Sequence, residues 1–97
     1  MLYGTQDRDF FPRNFVDRLN YIKELGYDCY EVDGKELVEK TAEIKDAVEK
    51  TKVPVTTACN GYRGWIGDFI EERRLNGVTD LKEILRCIAE VGGKGVV

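Results

Sequence analysis

The chain has 97 residues, enough for one small domain with a single core, and its 18 acidic and 15 basic residues give a formal net charge of -3. The charges are spread over the whole length and form no basic stripe, so nucleic acid is not an expected partner. No run of about 18 apolar residues is present, and the amino terminus lacks the charged and apolar regions of a signal peptide. We therefore expect a soluble, cytoplasmic protein with no membrane partner.

The three cysteines, Cys29, Cys59 and Cys87, are widely spaced and form no C-x-x-C pair, and the chain has no histidine. This pattern argues against a disulfide framework. Without histidine, the common zinc sites that mix sulfur and imidazole ligands are also excluded. We expect reduced, mostly buried thiols and no metal or other cofactor bound by this chain alone.

Four short segments have the composition of strands, and they lie near residues 2–6, 27–33, 52–58 and 94–97. The first helix is predicted after Pro12, where apolar residues recur at helical spacing until Gly26 ends the pattern. The apolar face of this helix is expected to consist of Phe15, Val16, Leu19, Ile22 and Leu25.

Two more helices are predicted in the second half of the chain. One runs along Leu37, Thr41, Ile44 and Val48. The other starts at a cap residue, Thr79, and its buried face is expected to consist of Leu81, Ile84, Leu85, Ile88 and Val91. The alternation of strands and helices predicts one α/β domain over residues 1–97, built as a parallel βαβαβαβ unit.

The carboxyl ends of parallel strands carry the ligand site in α/β proteins, because the strand-to-helix loops converge there. A connection of about 20 residues follows the third predicted strand, and loops of that length are usually binding loops or lids. From the polar and aromatic residues at these strand ends we take seven as candidate substrate-binding residues: Gln6, Glu31, Asn60, Gly61, Tyr62, Arg63 and Trp65. No catalytic residue is identified.

Each candidate also has a purely structural interpretation. The aromatic residues Tyr62 and Trp65 could plug the end of the sheet or pack in a subunit interface. Glu31 could pair with Arg63 or cap a helix instead of binding a ligand. The run "EERR" at residues 71–74 could clamp a phosphate, but its glutamates already neutralise its arginines, so a solvated helical turn is favoured.

Three segments together resemble a known family. The runs "ELGYDCYEVDG", "CNGYRGWIGDF" and "LKEILRCIAEVGGKGVV", in that order and spacing, resemble the first half of sugar phosphate isomerases and epimerases with the xylose isomerase-like TIM barrel. The same superfamily includes apurinic endonucleases of the endonuclease IV type. The resemblance implies that residues 1–97 form the first half of a (β/α)8 barrel and contact a small sugar substrate through the rim.

The resemblance also sets expectations for activity. Family members remove a proton beside a carbonyl with two carboxylates and a divalent metal, and their metal ligands come mainly from the later strands. We therefore expect Mn²⁺ or Mg²⁺ only in a full-length barrel, and no isomerase activity of this chain alone. The uncovered sheet face of a half barrel should be apolar and should drive pairing with a second copy or a complementary half barrel. Trp65 should then pack on its own sheet or on a second subunit.

Two other interpretations stay open at this stage. The chain could be a non-catalytic, self-associating interaction module or a relic of such an enzyme. A complete flavodoxin-like domain is less compatible, because the loop after the first strand has few of the small and hydroxyl residues that wrap a flavin phosphate.

Overall fold

The computed structural model describes residues 2–97, which form a four-stranded parallel sheet and four helices. In chain order the elements are β1 (Gly4–Thr5), α1 (Phe15–Glu24), β2 (Cys29–Asp33), α2 (Gly34–Glu39), α3 (Thr41–Thr51), β3 (Val55–Cys59), α4 (Glu71–Glu90) and β4 (Gly95–Val96). All four predicted strands are present, each shorter than or shifted from its predicted range. The predicted α/β class is confirmed.

The strands lie in the order in which they occur in the sequence, β1-β2-β3-β4, and every neighbouring pair is parallel. Between β2 and β3 the register passes from Tyr30 opposite Val55 to Glu31 opposite Thr57, which leaves Thr56 as an extra residue in β3. A flavodoxin-like sheet would place the first strand between the second and the third. The sequential order therefore does not match that alternative.

The core lies between one face of the sheet and the helices. Tyr30 and Val32 of β2 and Ala58 of β3 are at most 1% exposed and belong to the same apolar cluster as the helices. The helical members of this cluster are Phe15, Leu19, Ile22, Leu37, Ile44, Ala47, Ile84, Cys87 and Ile88. Because all four helices contribute to one cluster, they cover the same face of the sheet.

Helix α1 follows the predicted apolar pattern closely. The side chain of Asn14 caps it by accepting a hydrogen bond of 3.1 Å from the backbone N–H of Asp17. The helix ends at Glu24, with Leu25 as its cap residue, and Gly26 follows with φ of 95°, a conformation that glycine adopts readily. Leu25 is 51% exposed, so it does not belong to the buried face that we predicted.

The second predicted helix is two helices, α2 and α3, which are separated at Lys40. The backbone of Lys40 leaves the helical region, with φ of -131° and ψ of 33°. Neither proline nor glycine marks this break. Asp33 caps α2 by accepting from the backbone N–H of Glu36, whereas α3 begins without a side-chain cap.

Helix α4 starts at Glu71, and the prediction that it starts at Thr79 is wrong. Thr79 lies inside the helix, and the connection from β3 to α4 covers residues 60–70 instead of about 20 residues. Gly77, a helix-weakening residue, is buried in α4 because the loop backbone lies against it; an added Cβ would come within 3.0 Å of the carbonyl oxygen of Arg63. None of the helices in residues 2–97 is both long and apolar enough to cross a membrane.

Three smaller predictions have different outcomes. The run "EERR" forms the first turn of α4, and its first three residues are exposed, as expected of a solvated turn. Leu85 is 48% exposed, so it is not part of the buried face predicted for this helix. Of the three thiols only that of Cys87 is buried, so the expectation of mostly buried cysteines is also wrong.

Candidate functional site

The face of the sheet that the helices leave uncovered is polar in its two central strands. Side chains alternate along a strand, so Glu31 points away from the helices that cover Tyr30 and Val32. Thr57 of β3 lies opposite Glu31 and on the same side. The expectation of an apolar uncovered face is therefore wrong for these strands, because their large apolar residues all point to the helix side.

A hydrogen-bonded network joins β1, β2 and β3 on this uncovered face. Glu31 accepts a hydrogen bond from the amide Nε2 of Gln6 through Oε2 and one of 2.7 Å from the hydroxyl of Thr57 through Oε1. Both donors are neutral, so the carboxylate is oriented without an ion pair. The structural alternatives for Glu31 do not hold, since it neither pairs with Arg63 nor caps a helix.

Two neighbouring clefts open on either side of this network. One, of about 160 Å³, lies at the carboxyl ends of the strands and is lined by Gln6, Asp7, Glu31, Val32, Asp33, Cys59 and Asn60. The other, of about 240 Å³, lies on the sheet face and is lined by Gly4, Thr5, Gln6, Glu31, Thr56 and Thr57. Gln6 and Glu31 line both clefts. Asn60 lines the first cleft, at the rim. Three of the seven candidate residues are thus brought together.

The other candidates lie elsewhere. Gly61, Tyr62 and Arg63 border a larger cleft of about 500 Å³ between α2 and α4, together with Lys35, Val38, Glu39, Asp80, Glu83 and Ile84. Trp65 is 60% exposed. The expectation that Trp65 packs on its own sheet is wrong, while packing on a second subunit stays a prediction. The structure therefore divides the predicted site into a polar sheet face and a separate loop.

Hydrogen bonds between Arg63 and Asp80 hold the loop from residue 60 to residue 70 against α4. The carboxylate of Asp80 accepts hydrogen bonds from the backbone N–H of Arg63 at 2.8 Å, from its Nε at 2.9 Å and from its Nη2 at 3.1 Å. The hydrogen bonds from the Arg63 side chain and backbone lower the pKa of Asp80 below its ordinary value. Arg63 is thus held by Asp80 and is not free to pair with Glu31.

The start of the same loop crosses the start of α2 at very short range. Asn60 and Gly61 both have positive φ, 60° and 89°, so the chain turns sharply as β3 ends. Gly61 lies against the backbone of Gly34 and Lys35, and Gly34 lies against the carbonyl oxygen of Asn60. A side chain at either glycine would collide with backbone. The close crossing therefore fixes the position of Asn60 at the rim.

A buried arginine that we did not single out from the sequence supports the segment after β1. Arg18 is 2% exposed and donates to the carbonyl oxygens of Pro12 at 2.9 Å and Arg13 at 3.0 Å. It also donates to the carboxylate of Glu36 at 2.7 Å and to the hydroxyl of Tyr30 at 3.2 Å. The signal was available, because position 18 falls three residues after Phe15 on the predicted buried face.

The charges around Arg18 shift the pKa values of its neighbours. Burial raises the pKa of Tyr30 to about 12, although the charge of Arg18 acts in the opposite direction. Partial burial would raise the pKa of Asp7, but two hydrogen bonds of 2.9 Å from Arg13 and the charge of Arg18 lower it overall. These contacts hold the segment that carries Gln6 against the start of α1.

The described residues do not form a metal site. Among residues 2–97 no three Asp, Glu or Cys side chains converge in a way that could hold a metal ion. The Mn²⁺ or Mg²⁺ that the resemblance implies therefore stays a prediction for a full-length barrel, and no chemical step is assigned to it.

Comparison with known proteins relates the chain to an epimerase. It is 58% identical over its 97 residues to a protein of Escherichia coli (strain K12) named 3-dehydro-D-guloside 4-epimerase, and the match covers 37% of that protein. Its structure superposes on the crystal structure of 3-keto-D-glucoside 4-epimerase, YcjR, from E. coli, in apo form, with a TM-score of 0.96 and 57% identity. That superposition covers 99% of this chain and 36% of the other.

The chain thus spans about a third of the length of these relatives. No protein-family model matches it. The similarity to these two proteins confirms the epimerase part of the resemblance found in the sequence.

Proposed function

We propose that this chain forms the first strands and part of the sugar-contacting rim of a sugar epimerase with a (β/α)8 barrel. The identity of 58% to an epimerase along the whole chain carries the proposal. The sequential strand order with all helices on one face supports the barrel, because a closed barrel requires both features.

The polar sheet face suits a sugar better than an apolar ligand. Glu31 offers carboxylate lone pairs to sugar hydroxyls, and hydrogen bonds to an ionised acceptor are stronger than those between neutral groups. Gln6 and Thr57 orient this carboxylate from both sides. In the proposed enzyme Glu31 therefore binds hydroxyls of the substrate, which we take to be a keto sugar glycoside like the one in the name of the YcjR structure.

In this proposal the chain alone has no epimerase activity, because the metal ligands and proton-transfer groups belong to the rest of the barrel. Asn60, at the rim of the same cleft, is the second proposed contact to substrate. Gly61, Tyr62, Arg63 and Trp65 are proposed to contact substrate only through movement or closure of the loop, since they lie away from the polar face.

A chimera tests the proposed function. The segment of the E. coli epimerase that aligns with this chain is replaced by residues 1–97, and turnover of 3-keto-D-glucoside is measured. We expect kcat/KM within about tenfold of that of the parent enzyme, since tenfold corresponds to about 1.4 kcal/mol of transition-state binding. A chimera with the circular dichroism and melting behaviour of the parent but no turnover would contradict the proposal.

A further inference from the structure

Strand β3 contains an irregularity that changes which of its side chains reach the uncovered face of the sheet. Tyr30 of β2 lies opposite Val55. The next residue of β2, Glu31, lies opposite Thr57, so Thr56 is an extra residue in β3. Bulges of this kind are rare between parallel strands, and they are over-represented next to active sites, where they re-aim a side chain. The position of the bulge beside Glu31 makes the extra residue a candidate for the site.

The bulge turns two consecutive threonines to the uncovered face. Val55 and Ala58 are at most 1% exposed and belong to the core on the helix side of the sheet. Side chains alternate along a strand, so Thr56 points away from this core because it follows Val55. Thr57 points the same way because it precedes Ala58. Both threonines are half-buried, and both line the cleft of about 240 Å³ on the sheet face.

The hydroxyl protons in this cleft are not all available to a ligand. Three threonines line the cleft, Thr5, Thr56 and Thr57. The hydroxyl of Thr5 donates to the carbonyl oxygen of Gln6 at 3.0 Å, and that of Thr57 donates to Glu31 at 2.7 Å. A threonine hydroxyl has one proton to donate, so both of these protons are used. The Thr56 hydroxyl makes no hydrogen bond within residues 2–97, and it is open to solvent, since no enclosed polar side-chain atom of these residues lacks a partner.

A hydroxyl donor matters in this cleft because the charged group beside it can only accept. The carboxylate of Glu31 accepts hydrogen bonds and donates none. It can hold the hydroxyls of a sugar through their protons, but it cannot hold a substrate oxygen that has no proton, such as a keto or ring oxygen. The amide of Gln6 and the hydroxyl of Thr57 already donate to Glu31. The hydroxyl of Thr56 is a donor on the same face that is not used in this way.

We propose that Thr56 is a further substrate-binding residue, whose hydroxyl the bulge turns toward the sugar so that it donates a hydrogen bond to a substrate oxygen beside Glu31. The proposal rests on the proposed epimerase function and adds a residue to that site. The two clefts that share Gln6 and Glu31 together reach the volume of small-molecule sites, about 300–1,000 Å³. One ligand therefore has room to contact both Glu31 and Thr56.

A purely structural role of Thr56 predicts different behaviour on substitution. Threonine is common in strands because β-branched residues fit a pleated sheet. Valine has nearly the same shape and lacks only the hydroxyl, so a threonine that serves the strand alone can be replaced by valine without loss. Serine keeps the hydroxyl and loses a methyl group. The two substitutions therefore separate the hydroxyl from the shape of the side chain.

The test is the steady-state kinetics of Thr56→Val in the chimera with the E. coli epimerase. We expect KM for 3-keto-D-glucoside to rise about three- to tenfold, as loss of one hydrogen bond between uncharged groups does. A contact made equally in the bound substrate and in the transition state changes KM alone, so kcat should stay within about twofold of that of the parent chimera. The melting temperature should be unchanged or higher.

Two further variants serve as controls. Thr56→Ser keeps the donor and should leave KM within about twofold of that of the parent chimera. Thr79→Val makes the same exchange at an exposed residue of α4 and should behave like the parent chimera.

Two results would overturn the role of Thr56 and leave the epimerase function in place. The first is an active chimera in which Glu31→Gln lowers kcat/KM but Thr56→Val leaves KM unchanged. The second is an equal rise in KM for Thr56→Val and Thr56→Ser, because the effect would then come from packing and not from the hydroxyl. A folded parent chimera without turnover would instead contradict the proposed function, and the role of Thr56 would fail with it.

Discussion

At the scale of single residues, the least expected feature is a charged group in the core. The guanidinium of Arg18 lies 4.5 Å from the ring centroid of Phe15 and is hydrogen-bonded to two carbonyl oxygens, a hydroxyl and a carboxylate. Burying an arginine is tolerated only when its donors are satisfied and its charge is compensated. Here Glu36 compensates the charge, and the carbonyl oxygens belong to the segment that leads from the rim into α1.

Arg18→Ala should destabilise the chain by about 3 kcal/mol. The substitution leaves the carbonyl oxygens of Pro12 and Arg13 without this donor and removes the partner of Glu36, and breaking such a network is costly. Urea unfolding measures the effect. Arg86→Ala is the matched control, because its ion pairs on α4 are exposed and long, 3.6 and 3.8 Å, and should contribute less than about 0.5 kcal/mol. Equal losses for both variants would show that Arg18 is not structural.

The raised pKa of Tyr30 predicts alkaline sensitivity. Its folded-state pKa of about 12 lies above the ordinary tyrosine value of 10.0, so the unfolded chain ionises first. The stability contributed by this hydroxyl is complete below pH 10 and is lost as the pH rises from 10 to about 12. Tyr30→Phe should reduce this loss. Thermal melts between pH 9 and 12 in which Tyr30→Phe behaved like the wild type would contradict this explanation.

At the scale of elements, hydrophobic spacing was a reliable guide and terminal signals were not. The pattern through Leu19 and Ile22 predicted α1 correctly, because helical burial follows periodicity directly. The cap residue Thr79 predicted the start of α4 wrongly, since nothing in the local sequence shows that the helix continues back through Gly77. The break at Lys40 has no glycine or proline, so it depends on tertiary packing that a local pattern does not contain.

The crossing of the loop after β3 over α2 gives a sharp prediction about two glycines. Gly61→Ala and Gly26→Ala both put a side chain at positive φ, 89° and 95°, and this strain alone costs about 1–2 kcal/mol. Only at Gly61 does the new Cβ also meet backbone, that of Gly34 and Lys35. Gly61→Ala should therefore destabilise by roughly 2 kcal/mol more than Gly26→Ala. Equal effects in chemical unfolding would mean that the crossing is looser than described.

At the scale of the whole molecule, the sequence predicted the class and order of the elements better than it predicted the site. The strand ends were located well enough to bring Gln6, Glu31 and Asn60 to one rim, because parallel strands necessarily end together. The separation of Arg63 from Glu31 could not be predicted, since it depends on Asp80, which lies 17 residues away and pairs with Arg63 only after the loop folds onto α4.

The polarity of the uncovered sheet face bears on both association and substrate binding of the whole molecule. A half barrel with an apolar inner face would associate through that face, whereas the central strands here present Glu31 and Thr57. A polar interior is expected of a barrel whose inner face near the rim contacts a hydroxylated substrate. We therefore propose that Glu31, oriented by Gln6 and Thr57, binds sugar hydroxyls.

The most direct test of that claim is the steady-state kinetics of Glu31→Gln in the chimera with the E. coli epimerase. Glutamine keeps the size and one acceptor but loses the charge, so we expect kcat/KM for 3-keto-D-glucoside to fall about tenfold or more at unchanged thermal stability. Glu49→Gln, on the exposed side of α3, is the control and should behave like the parent chimera. If Glu31→Gln retains the kcat/KM of the parent chimera, the uncovered sheet face does not bind the substrate and the proposed role of Glu31 is wrong.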